Sequence, residues 1–159
     1  MSDKNHGLFQ GSGQQEPGKV VFRDDQNRLR RDLLVKDAQD WADKIAEHVS
    51  YTQLRKFYSE ALALKSRLEE KVKDKVKELG DKKGKEEGFK ESEALIGMLI
   101  SKANYSKIKS KFLKDKKKYQ NEELFNFIYA CVTAVHSEQD FNDFVLFFEA
   151  VLGFFPRKN

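Results

Sequence analysis

The chain has 159 residues, 35% of them charged, a single cysteine, a mean hydropathy of -0.73 and a formal net charge of +4. That leaves room for one domain of roughly 100–150 residues with one modest core, and none for a membrane span of ~20 consecutive apolar residues. Cys131 alone cannot form an internal disulfide, and the start MSDKNHGLFQGSG lacks the basic and apolar regions of a secretory signal, so an intracellular, reducing compartment is expected.

Residues 1–30 are rich in Gly, Gln, Ser and Asp, contain Pro17 and show no sustained period. They are expected to form a mobile tail ahead of a domain spanning 31–159. Within the tail, LFQGS resembles the scar of a protease-cleavable tag. Asp32 can cap a first helix of about eighteen residues. Its apolar face is Leu34, Ala38, Trp41, Ala42, Ile45 and Val49, with Trp41 expected at the core edge.

The clearest helix runs from Ser50 to Gly80. Leu54, Phe57, Ala61, Leu64, Leu68, Val72, Val76 and Leu79 follow at steps of three or four, which puts them on one side of a 3.6-residue helix. Ser50 and Gln53 have the spacing of a capping box, and Gly80 suits a C-terminal cap. The lysines and acids of its second half alternate as a solvated, ion-paired face. The following GDKKGKEEGFK, with three glycines among charges, predicts an exposed flexible connection over Gly80–Gly88. It matches neither a P-loop nor a dinucleotide fingerprint.

A third helix is predicted from about Ser92 to Asp115, carrying Leu95, Ile96, Leu99, Ile100, Ala103, Ile108 and Phe112. From Lys102 to Lys118 eight lysines face one acid, Asp115, with Tyr105, Phe112 and Tyr119 interleaved. That local charge of +7 differs from the balanced face of the preceding helix and suits counterion-releasing contacts with phosphates. Asn121, Glu122 and Glu123 open a fourth helix whose stripe of Leu124, Ile128, Cys131 and Val135 places the thiol in the core. Ser137 with Asp140 opens a fifth, Glu138 to Phe154, which stops before Pro156. Phe141, Phe144, Val145, Phe148, Val151, Leu152 and Phe155 fill one broad face, while Phe147 and Phe154 extend apolar surface around the other. So apolar a helix is either central to the fold or a contact with another chain. The expected fold is therefore all-α, a single bundle of about five helices.

Enzyme constellations are missing from the pattern. His6, His48 and His136 have no metal spacing, and GxSxG, CxxC and P-loop motifs are absent. No cofactor and no metal are expected. A binding module is favoured, and the lysine cluster favours nucleic acid over a purely protein partner. The alternative is a helical protein–protein adaptor or homodimer that uses Phe147 and Phe154.

TQLRKFY, Thr52 to Tyr58, resembles the T-x-L-R-K-[IF]-Y signature of the small subunit of type III-A CRISPR-Cas effector complexes, the Csm complexes. IGMLISKANYSKIKSK, Ile96 to Lys111, is similar to that family's L-x-P-K-L-A-Y-A segment with basic residues after it. Ser101, Ala103 and Asn104 stand where the family has proline, leucine and alanine. FNDFVLFFEAVLGFF, Phe141 to Phe155, resembles its F-x-x-F-x-x-F-[FL]-E-A-[IV]-L ending. The resemblance covers most of the chain from about residue 35. It implies a non-catalytic helical subunit of a prokaryotic cytoplasmic complex, present with other subunits and further copies of itself. That subunit lines the groove holding crRNA and target RNA and contacts the target backbone. By motif position, Arg55 and Lys56 are the first RNA-binding candidates, with Lys102, Lys107, Lys109 and Lys111 next; Tyr58 and Tyr105 are expected to pack between helices.

Overall fold

The computed structural model describes residues 19–111 and 122–156, with the side chains of 108–111 excepted. Among these residues there are five helices and no strands. α1 opens as a π-helical turn, Leu33–Asp37, and continues as regular helix over Ala38–Ala46. α2 is Tyr51–Leu79, α3 Asp81–Lys111, α4 Glu122–Thr133 and α5 Glu138–Phe154. The expected all-α bundle is the fold observed. Asp32 makes no side-chain cap to α1. The Ser50–Gln53 capping box at the start of α2 is complete in both directions. At α5, Ser137 Oγ accepts from the Asp140 amide, and the Asp140 carboxylate accepts from the His136 amide.

Residues 19–30 do not behave as an unstructured tail. Val20 and Phe22 are buried while Val21 between them is exposed, the alternation of a short extended segment. Three residues are too few to register as a period in the sequence. A turn follows in which the Asp24 carboxylate accepts from the amides of Gln26 and Arg28, with Asn27 at φ 61. Arg23 then grips α5, its Nε and Nη2 donating to the two Asp143 oxygens at 2.7 and 3.0 Å. Asp143 is only 2% exposed, so this bidentate partner answers a buried carboxylate.

The core is aromatic and centred on α5. Phe127 of α4 meets Phe147 and Phe148 edge-on at 5.4 and 5.3 Å, and Trp41 of α1 lies 5.4 Å from it on another side. Phe141 and Phe144 complete the cluster, fully buried. α5 is thus the central helix, one of the two outcomes its apolar excess predicted. Cys131 is buried, and desolvation pushes its thiol pKa well above the ordinary 9.0.

α2 and α3 form a long antiparallel hairpin, and here the predicted flexible connection is corrected. Gly80 alone breaks the helix, with φ 90 and ψ 170, a conformation open essentially only to glycine. From Asp81 the chain is helical again, through the whole glycine-rich stretch. Gly84 and Gly88 are buried where the helices touch: a Cβ on Gly84 would stand 2.4 Å from Val76 Cα, and one on Gly88 2.7 Å from Val72 Cα. Their spacing of four puts both on one face of α3, so they serve close backbone approach rather than flexibility.

Candidate nucleic-acid interface

Three contacts fix the register of the hairpin. Gly88 meets Val72, Glu91 lies between Lys71 and Lys75 at 3.5 and 3.0 Å, and Lys102 Nζ lies 3.4 Å from Glu60 Oε1. Continued to the open end, that register sets the first turns of α2 level with residues 105–107 of α3. Arg55, Lys56 and the start of the lysine cluster therefore come to the same end of the molecule.

Successive helical residues point about 100° apart, so Arg55 and Lys56 diverge. Lys56 lies one turn before Glu60, on the side of α2 that faces Lys102. Arg55 lies over Tyr51, its Nη1 donating to the Tyr51 hydroxyl at 3.4 Å. That is the side on which the Tyr58 hydroxyl donates to Glu149 of α5 at 3.3 Å. Burial and then the Glu149 carboxylate hold the Tyr58 pKa above its ordinary value, with Arg55 acting the other way. Both cations are exposed, and among the described residues neither is ion-paired. The helix surface between them carries the short side chains of Thr52, Ser59 and Ala63, all exposed. Sequence reading passed over this strip, although the spacing of seven from Thr52 to Ser59 marks one face.

The other candidates differ in how free they are. Lys102 is half-exposed and tied to Glu60; such a surface pair is worth ~0–1 kcal/mol and yields easily to a phosphate. Lys107 Nζ stands 4.2 Å above the Phe125 ring, a cation–π contact that points its charge at α4. The side chains of Lys109 and Lys111, and all of Lys114, Lys116, Lys117 and Lys118, lie outside the described residues. Tyr58 packs between helices as expected, its ring 5.5 Å from Phe148. Tyr105 does not: it is 66% exposed. Of the two interface candidates on α5, Phe154 is exposed, whereas Phe147 is fully buried against Phe127 and has no surface to offer a partner.

A cleft of about 760 Å³ lies between the start of α3, the α4–α5 corner and Arg23. Its lining mixes Lys85 and Lys90 with Glu86, Glu93 and Glu138, Lys85 pairs with Asp81 at 3.3 Å, and Ser137 within it is occupied as a helix cap. Among the described residues no group of three or more His, Cys, Asp and Glu side chains could hold a metal ion. No helix of these residues is long and apolar enough to cross a membrane.

Fold and surface together define a small all-helical protein in which Arg55, Lys56, Lys102 and Lys107 come to the open end of a helical hairpin. A family model described as Csm2 Type III-A matches residues 28–157, and the chain belongs to that family, the small subunit of type III-A CRISPR effector complexes. Its members are in general non-catalytic structural components, and membership implies assembly with the other subunits of the Csm complex. Searches of curated proteins and of solved structures find no match.

Proposed function

We propose that this subunit lines the groove that holds guide and target RNA and contacts the RNA backbone, without catalysing a reaction. Arg55 and Lys56 are its leading phosphate ligands, supported by Lys102 and Lys107 and, by sequence, Lys109 and Lys111. Further copies of the chain stack beside it along the complex. The observation that carries this reading is the pair Arg55 and Lys56, exposed and without an ion-pair partner among the described residues, beside the basic end of α3. Short side chains between the two cations let a phosphate backbone approach the helix surface closely. Sequence would be read by base pairing between guide and target, while the protein supplies shape and charge.

The test is the salt dependence of RNA affinity. Removing one cation that neutralises a phosphate should flatten the slope of log K against log salt by about 0.7 for single strands. Arg55→Ala and Lys56→Ala are each expected to flatten it by roughly that amount. Lys102→Ala should do less, since its ammonium first leaves Glu60. Slopes and affinities unchanged in all three variants would place the RNA elsewhere and refute the proposal.

A further inference from the structure

Tyr105 sits where a buried residue was expected. Among the described residues the other tyrosines all have phenylalanine neighbours: Tyr51 is 5.9 Å from Phe155, Tyr58 5.5 Å from Phe148 and Tyr129 5.8 Å from Phe125. Tyr105 has no such ring contact there and is 66% exposed. On the N-terminal side of Tyr105 along the same face of α3, Ser101 and Met98 are exposed and uncharged. Lys102, three residues back, borders the tyrosine on the side toward α2, and the hairpin register brings Lys56 to the same flank. Residues three apart on a helix have Cβ atoms about 5–6 Å apart, so a cation and an open aromatic face stand side by side.

We infer that Tyr105 is a stacking platform for an unpaired nucleobase, with Lys102 and Lys56 holding the adjacent phosphates. This rests on the RNA-backbone reading above and adds what that reading lacks, a preference among RNA forms. Phosphate contacts alone accept paired and unpaired strands alike, whereas stacking on a side chain requires a base splayed out of its helix. Glu60 offsets one of the two flanking cations, and the positive charge that remains favours a polyanion on this ridge over a second apolar helix. α3 runs unbroken from Asp81 to Lys111, so Tyr105 and Lys102 share one helix.

The experiment titrates the full chain with three labelled ligands: a short single-stranded RNA, its duplex with the complement, and the same backbone carrying abasic sites. Tyr105→Leu should weaken the single strand about 5- to 150-fold, the range for removal of one base–aromatic stack. It should leave the duplex and the abasic strand unchanged. Tyr105→Phe should restore single-strand binding, because the ring and not the hydroxyl is used. Lys56→Ala with Lys102→Ala should weaken all three ligands. If Tyr105→Leu leaves single-strand affinity intact while the lysine variants lower it, stacking is overturned and backbone contact stands. If the lysine variants and Arg55→Ala also change nothing, the RNA reading falls with it. A Tyr105→Leu protein that changes only its sedimentation would assign the ridge to a second copy of the chain and overturn the inference.

Discussion

Phe147 and Phe154 lie seven residues apart on α5, so they share a side of the helix, yet one is fully buried and the other 39% exposed. Depth along the helix makes the difference. Phe147 meets Phe127 at the middle of α5, whereas Phe154 is its final residue. Phe147→Ala should therefore empty a core site and cost about 3–5 kcal/mol, read as a lower urea midpoint. Phe154→Ala, at a side chain still partly covered, should cost less, about 1–2 kcal/mol. Equal losses from the two would contradict the difference in burial. Periodicity in a sequence reports which side a residue faces and says little about how far along the helix its cover extends. Tyr105 is a different case: two residues past buried Ala103, it lies about 200° around the helix on the outer face of α3.

At the scale of whole elements, α3 contains glycines with opposite roles. Alanine favours a helix over glycine by roughly 1 kcal/mol, so propensity alone makes every Gly→Ala change here stabilising. At Gly97 nothing lies within 4 Å of the added methyl, and Gly97→Ala should raise stability by up to about 1 kcal/mol. At Gly84 and Gly88 the methyl meets the α2 backbone, which cannot rotate away, and overpacking should cost about 1–3 kcal/mol, outweighing the gain. Thermal unfolding of the three single variants checks the sign; stabilisation at Gly84 would mean that the two helices are not in close backbone contact there. The helix stripes and the caps at Ser50 and Ser137 are legible in the sequence, because they are local patterns of a few residues. The first half of α3 is not. A glycine that permits a turn and a glycine that admits a neighbouring backbone look alike until the neighbour is known, and Val72 and Val76 lie in a different helix. Of the candidate site, the sequence carries the identities of Arg55, Lys56 and Lys102. It cannot carry the register that sets them at one end, nor the Glu60 partner of Lys102.

For the molecule as a whole, the titrating groups predict a stability dome with distinguishable flanks. On the acid side, the Asp24 carboxyl is held below its ordinary 3.8 by the backbone amides it accepts from, and the Glu91 carboxyl below 4.5 by Lys75. The unfolded chain then binds more protons than the folded one, so their stabilisation is complete above those ordinary values and is lost as pH falls through the folded ones. Glu138, raised mainly by burial, opposes this modestly. The alkaline flank begins with Cys131. Above pH 9.0 the unfolded thiol ionises while the buried one stays protonated, so stability should fall by roughly 1.4 kcal/mol per pH unit for this one group. Tyr58 adds a second loss above its ordinary 10.0, and the raised pKa values of Lys36 and Lys75 add theirs above 10.5. Urea unfolding across this range separates the contributions. Cys131→Ala should lower stability at neutral pH by leaving a cavity, yet flatten the profile between pH 9.0 and 10.0, where only the thiol distinguishes the two proteins. A variant that keeps the original slope there would show that Cys131 reaches solvent in the folded state, and the packing of α4 against α5 would need revision.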